Sequence, residues 1–387
     1  MQTVPVAIIG GGLSGLYAAY LLEKKGIDYI LLEARPTLGG RIVTARAAGS
    51  KTDQINEGFD LGPSWFWPEY QQQLASLVAE LQLESFAQFE AGDMLVERSP
   101  NEPAVRTRGY KSTPPSMRLK GGMVTVIDAL YHRLDTTKIL TNQTVRRLRQ
   151  SGRYIEIISE HKSGQEADCQ TQQWQAQHVL LALPPRLVED SIIFEPALPM
   201  SLATQWRGVA TWMAPHAKYL AVYEFPFWQE QGLSGSARSA QGPMVEIHDA
   251  SVTDGSGALF GFIGVPASVR QTVSTEVLKE HCRAQLVRLF GDQAGAPKRD
   301  YLKDWAQEPL TATPADAHSD GQHAAAPMSK AVSGEWQNAL TGIGSEWSAQ
   351  FPGYLAGAID AANIGVNNLP KSIIADSHKS IRPKTDI

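Results

Sequence analysis

Val6-Ala7-Ile8-Ile9-Gly10-Gly11-Gly12-Leu13-Ser14-Gly15 is the stretch whose reading decides the fold. Its apolar run stops abruptly at glycine, as a parallel strand buried on both faces does. Leu13, Leu16, Tyr17, Tyr20 and Leu21 then recur at helical spacing, and Gly26 ends that helix. Tyr29 to Leu32 reads as a second buried strand. Strand, glycine turn, helix and strand within the first 33 residues make one βαβ unit.

Gly10, Gly12 and Gly15 occupy the three glycine places of G-x-G-x-x-G. The first makes the tight turn, the second lets backbone approach a diphosphate, and the third lets helix and strand pack closely. The helix start at Leu13-Ser14 offers N–H groups without intrahelical partners, and the positive end of a dipole, to an anion. Glu33 ends the second strand, 21 residues after Gly12. A carboxylate there accepts hydrogen bonds from a ribose diol and repels a 2′-phosphate. The chain continues Ala34-Arg35-Pro36-Thr37-Leu38-Gly39-Gly40-Arg41. This second glycine pair suits a second approach to the diphosphate, which the guanidinium of Arg41 would neutralise. It favours FAD over NAD.

Lys plus Arg number 35 and Asp plus Glu 40, a formal net charge of −5 over 387 residues. Such mild acidity argues against a nucleic-acid partner, which needs a basic surface. With 43% hydrophobic and 19% charged residues, the chain is globular. It is long enough for two domains, or for one with an insertion. Cys169 and Cys282 are its only cysteines, with no CxxC. That argues against a disulfide scaffold or a cysteine zinc site, and for a reducing compartment. No apolar run reaches the ~18–20 residues of a membrane helix. The apolar start lacks a basic flank, and the stretch from Lys371 to Ile387 is polar. The expectation is a soluble, cytoplasmic protein without a metal site or a membrane partner.

Leu74, Leu77, Val78 and Leu81 mark an amphipathic helix, Met123, Ile127, Leu130 and Leu134 another, and Val277, Leu278, Cys282, Leu286 and Leu289 a further one. Tyr154 to Ile158 and Val179 to Leu183 read as strands, the latter stopped by Pro184-Pro185. Residues 306–334 read as a long loop rich in Ala, Pro, Ser, Thr and Gly.

Across most of its length, and in the same order, the chain resembles the flavin-containing amine oxidases of the monoamine and polyamine oxidase type. The opening stretch, through Leu31-Leu32-Glu33-Ala34-Arg35 and Gly39-Gly40-Arg41, is similar to the family's FAD fingerprint. Asp60-Leu61-Gly62-Pro63-Ser64-Trp65 resembles the Asp-Leu-Gly-Gly segment that passes beside the flavin. Leu119-Lys120-Gly121-Gly122-Met123 resembles the glycine pair that returns the chain to the FAD domain, and His178 to Pro185 the strand leading to the substrate domain. Lys218-Tyr219 through Pro226-Phe227-Trp228 is similar to the family's lysine strand. Gly344-Ser345-Glu346 with Pro352-Gly353-Tyr354-Leu355-Ala356-Gly357-Ala358 resembles the closing motif and helix.

The resemblance implies that Gly10, Gly12, Leu13, Ser14, Gly15, Glu33, Ala34, Arg35, Gly39, Gly40 and Arg41 hold non-covalent FAD. It implies the same of Gly62, Pro63, Ser64, Trp65, Val145, Gly344, Ser345, Glu346, Gly353 and Tyr354. It also implies catalytic roles for Lys218, which would hold a water at flavin N5, for Tyr354 as an aromatic wall, and for Trp305. The implied reaction moves a hydride from an amine C–H to flavin N5, and O2 reoxidises the flavin to give imine or aldehyde, ammonia and H2O2. His216 and His248 are expected to be structural. In two places the chain departs from the family. The second aromatic wall falls at Pro314-Ala315, where Ala315 cannot act as a wall, so the cage is half missing unless Trp65, Phe66 or Trp67 supplies it. Only about 60 residues separate Gly62 from Gly121, which implies a shortened substrate cap and a more open site, reachable by a small amine or a larger substrate.

These readings give an α/β fold: a Rossmann-like FAD-binding domain with a parallel sheet and helices, plus a reduced α+β substrate domain with a mixed sheet. The expected FAD-binding segments are 1–83, 118–200 and 331–387, with substrate-domain segments 84–117 and 201–330. Two alternatives stay open beside amine oxidation. One is a related dehydrogenase or desaturase acting on a non-amine substrate, and the other a flavin-binding protein with little turnover.

Overall fold

Val4, Val6, Ala7, Ile8 and Ile9 are all nearly solvent-free, as a strand covered on both faces requires. In a computed structural model of the chain, which describes residues 2–46, 57–162, 169–253, 255–318 and 323–374, these residues belong to the strand Gln2–Ile9. That strand lies between Cys169–Leu181 and Tyr29–Leu32 and is parallel to both. The helix Leu13–Lys24 joins it to Tyr29–Leu32, so the opening βαβ unit stands as read. By where its contacts fall, the chain divides into two compact units.

The first unit comprises residues 1–41, 126–212 and 322–387. Its sheet has eight strands among the described residues. Gln2–Ile9, Tyr29–Leu32, Ile139–Leu140, Cys169–Leu181 and Leu340–Gly342 form the parallel part. Gln143–Ser151 and Tyr154–Lys162 extend it as an antiparallel pair. The core under this sheet joins Ile9, Ile30, Leu148, Ile157, Leu181, Trp206 and Leu340. The helix Leu13–Lys24 packs against the closing helix Leu355–Asn367.

The second unit comprises residues 42–125 and 213–321. Among the described residues its main sheet has seven strands, ordered Arg299–Asp304, Ala217–Tyr223, Gly257–Ile263, Met244–Asp249, Leu233–Ser239, Asp93–Glu97 and Val105–Arg108. It is mixed, because Leu233–Ser239 runs parallel to Asp93–Glu97 while the other pairs are antiparallel. Alternation splits Ala217–Tyr223 between two cores. Tyr219, Ala221 and Tyr223 meet Leu278, Leu286 and Phe290 of the helix Thr275–Phe290. On the other face Leu220 and Val222 meet Phe59, Leu61 and Phe260.

The division falls elsewhere than the motif order suggests. Residues 42–83 pack with the second unit, because Phe59 and Leu61 bury themselves against Leu220 and Phe260. Residues 201–212 pack with the first, where Leu202 and Trp206 join its core. The three expected amphipathic helices form as Gln72–Glu80, Val124–Tyr131 and Thr275–Phe290. The strand expected at Val179–Leu183 ends at Leu181 but begins as early as Cys169. The loop 306–334 is irregular, with single turns at Trp305–Gln307 and Pro314–His318; its residues 319–322 lie outside the described residues.

Candidate cofactor and active site

In the first unit, the glycine turn is shaped by two close approaches. Gly10 has φ +108°, and a Cβ there would lie 2.8 Å from the Ala182 carbonyl oxygen. A Cβ on Gly15 would lie 1.9 Å from the Gly10 oxygen, so only glycine allows the helix to start this close to the strand. Gly12 is the N-cap of Leu13–Lys24 and is followed by no side-chain cap. The first N–H groups of that helix are therefore left for an anion. Gly12 also forms a bridge with Gly39, and Gly40 is its next neighbour, so both glycine pairs come together.

Glu33 is buried, and its two oxygens accept the N–H groups of Gly11 at 2.6 Å and Arg35 at 2.8 Å. A carboxylate has about four acceptor sites, so half its capacity stays open to a ribose diol. Ala34 follows in the same turn, and Arg35 donates to the Gly40 carbonyl at 3.1 Å. The Ser14 hydroxyl donates to the Ile343 carbonyl, leaving its N–H for a phosphate. This donor set, with backbone exposed at Gly12 and Gly39-Gly40, fits an adenine dinucleotide.

Arg41 meets two side chains of the Gly344 turn. Its fork binds Glu346, at 2.5 and 3.1 Å, and Ser345 at 3.1 Å. Burial pushes the Glu346 carboxyl upward, but Arg41 outweighs it and holds the group below the usual carboxylate range. Arg41, Ser345 and Glu346 thus assemble around an ion pair that ties residue 41 to the Gly344 turn. Val145 is a buried member of the core of the sheet.

Gly353 has φ +83°, and a Cβ there would lie 2.9 Å from Trp212 Cβ. Tyr354 is the N-cap residue of Leu355–Asn367. Its ring meets Trp212 at 4.6 Å and lies almost flat against His323 at 4.8 Å and 16°. Sequence reading singled out neither partner.

In the second unit, Lys218 is 3% exposed. Its Nζ donates to Ser64 Oγ at 2.8 Å and to the Gly62 carbonyl at 3.2 Å, and sits 3.9 Å from the Phe260 ring centroid. Burial pushes its pKa down to about 7; Asp60 opposes this and Arg118 adds to it. Gly62, Pro63 and Ser64 thus form the turn that caps the lysine. Trp65 stands edge-on to His248 at 5.0 Å and donates to Gln88 at 2.8 Å. Phe66 is core, and Trp67 donates to Ser116 at 3.0 Å. Trp305 is buried, donating to the Leu61 carbonyl at 3.1 Å with the Lys303 ammonium over its ring. Ala315 is exposed in its turn. His248 pairs with Glu246 at 3.0 Å. His216 is held low in pKa by burial and by Arg270.

Among the described residues, no group of His, Cys, Asp and Glu side chains could hold a metal, and no helix is long and apolar enough to cross a membrane.

Residues 105–368 match the family model for flavin containing amine oxidoreductase, and residues 8–81 match that for an NAD(P)-binding Rossmann-like domain. The chain is 21% identical to a probable flavin-containing monoamine oxidase A of Dictyostelium discoideum, over 92% of this chain and 95% of that protein. It is 28% identical to a putrescine oxidase of Kocuria rosea, over 50% of this chain and 41% of that one. Among solved structures, putrescine oxidase bound to putrescine aligns with a TM-score of 0.74 and cyclohexylamine oxidase from Brevibacterium oxydans IH-35A with 0.75. Both are 20% identical and cover 97% of this chain and 99% of their own; at that identity the likeness speaks for the fold.

Proposed function

Since the chain belongs to the flavin-containing amine oxidoreductase family, we propose that it is an FAD-dependent oxidase of a primary or secondary amine, with O2 as electron acceptor. The observation that carries this reading is the ammonium of Lys218, buried between the Ser64 hydroxyl and the Phe260 ring. A lysine is costly there and earns its place only by acting on charge.

FAD, when bound, supplies the two-electron acceptor. The chain's own residues bind, orient and stabilise. The first N–H groups of Leu13–Lys24 and the Gly39-Gly40 turn hold the diphosphate, and Glu33 takes the ribose hydroxyls. The positive end of the closing helix Leu355–Asn367 would favour anionic charge placed before it. Tyr354 presents a ring against which an uncharged amine can lie. The amine loses a C–H hydride and an N–H proton, and the imine takes up water to give an aldehyde with ammonia from a primary amine, or with a primary amine from a secondary one. O2 accepts two electrons and two protons to leave as H2O2. The ammonium of Lys218 would stabilise the anion that O2 first becomes on accepting an electron. The two cysteines without a CxxC pair suit a reducing cytoplasmic setting.

Purified protein is expected to show a flavin visible spectrum and to release peroxide with at least one member of a panel of mono-, di- and polyamines and amino acids. Substrate bleaching of the flavin without oxygen consumption would replace the oxidase reading by a dehydrogenase one. Colourless protein that takes up no FAD would end both.

A further inference from the structure

On the reading that Tyr354 guides the amine, we infer that His323 and Trp212 are positioning residues that lock the plane of the Tyr354 ring. Tyr354 stands at the N-cap of Leu355–Asn367 with extended backbone (φ −79°, ψ 163°) and makes no side-chain capping bond. Two ring contacts bear on its side chain, and a third joins the two partners. His323 stacks on Tyr354 at 4.8 Å and 16°, Trp212 leans on it at 4.6 Å and 46°, and Trp212 and His323 close the triangle at 4.0 Å and 34°. Near-parallel stacking and tilted contact at these spacings are favourable ring geometries.

The backbone is built to admit this block. His323 Nδ1 meets the Pro352 carbonyl at 2.9 Å. The carbonyl can only accept, so Nδ1 carries the proton, an assignment made from the hydrogen-bond network. One imidazole thus grips residue 352 by its backbone and residue 354 by its ring, spanning Gly353. At Gly353, φ +83° and the 2.9 Å that would separate a Cβ from Trp212 Cβ leave room for the tryptophan only if the residue is glycine. Centroid spacings of 4.0 to 4.8 Å leave no space for a ligand between the rings. The block is solid, and an amine meets Tyr354 only on the part of the ring that the other two leave uncovered. His323 is itself exposed, so substituting it removes the stack at little risk to the fold.

The test uses protein labelled with 3-fluorotyrosine, the Tyr354 19F line being identified by its loss in Tyr354→Phe. His323→Ala is expected to move that line toward the position of a freely rotating tyrosine, in holoenzyme and in flavin-free protein alike. His323→Phe, which restores a ring, is expected to keep it in place. In steady state, His323→Ala should raise KM for the amine about fivefold with kcat nearly unchanged, and His323→Phe should restore it. A Tyr354 line that does not respond to His323→Ala overturns the inference. So does a KM raised equally by both variants, since imidazole chemistry rather than a ring would then be at work. A line that moves as expected while Tyr354→Ala leaves KM unchanged supports the packing of the block and fails only the reading of Tyr354 as the amine's guide.

Discussion

Lys218 and Glu33 show two ways in which a buried charge is kept. Lys218 holds its ammonium with a hydroxyl, a carbonyl and a ring face around it, and burial still drags its pKa to about 7. A cation this poorly solvated interacts strongly with any anion formed near it. Lys218→Met is expected to keep FAD while slowing reoxidation by O2, on the order of a hundredfold. Mixing the reduced protein with oxygen in stopped flow measures this, and an unchanged rate contradicts the role. Glu33 is kept by two backbone N–H groups, those of Gly11 and Arg35. Glu33→Ala leaves both donors without their acceptor, at roughly 1–3 kcal/mol each, and removes the ribose contact as well. FAD content after dialysis should fall together with the thermal midpoint; retention equal to wild type would reject the ribose assignment.

Among the elements, the helix Leu13–Lys24 depends on one missing methyl. Gly15→Ala places a Cβ 1.9 Å from the Gly10 oxygen, an approach that no rotamer relieves because both atoms belong to backbone. Either the helix or the strand Gln2–Ile9 must move, and a loss of several kcal/mol follows. Gly15→Ala is therefore expected to be insoluble or flavin-free, as expression and the visible spectrum will show; a yellow, stable variant would mean that the turn is not packed as described. This turn was legible in the sequence because its chemistry is local: strand, glycines and helix are consecutive, and each residue's job follows from its neighbours. Arg41 was only half legible. Arg41 and Glu346 both stood in the motifs, but their pairing joins positions far apart along the chain and left no local signal. The strand Cys169–Leu181 was seen only at its end, since Gln170 to Gln175, which face an antiparallel neighbour, are polar except for Trp174 and carry no apolar run. Trp212 and His323 left no periodic signal, because both sit in loops and meet only through the fold.

At the scale of the whole molecule, each unit encloses a base that burial keeps short of protons, and the two respond in separate pH windows. In the first unit, burial pushes the His178 imidazole down to about 4. Its ring bridges the strand Cys169–Leu181 and the segment around Leu340–Gly342, meeting the Asn338 carbonyl at 2.8 Å and Thr341 Oγ1 at 2.9 Å. The unfolded chain binds that proton near 6.5. Between pH 6.5 and 4 the unfolded chain therefore holds more protons, and stability falls as the solution is acidified, by about 3 kcal/mol from this group. In the second unit, Lys218 titrates near 7 when folded and near 10.5 when unfolded. Stability from this group rises with pH across that interval, by several kcal/mol on the same relation. The two windows do not overlap, so two variants can separate them. Urea titrations at pH 4.5, 6.5, 7.5 and 9.5 should find that His178→Gln flattens the acid limb and leaves the alkaline limb steep. Lys218→Met should do the reverse and gain stability at pH 6.5, where the wild type holds a desolvated ammonium. If His178→Gln leaves the acid limb as steep as in wild type, the imidazole is not the group that resists protonation there, and the clasp between the two strands is held by some other means.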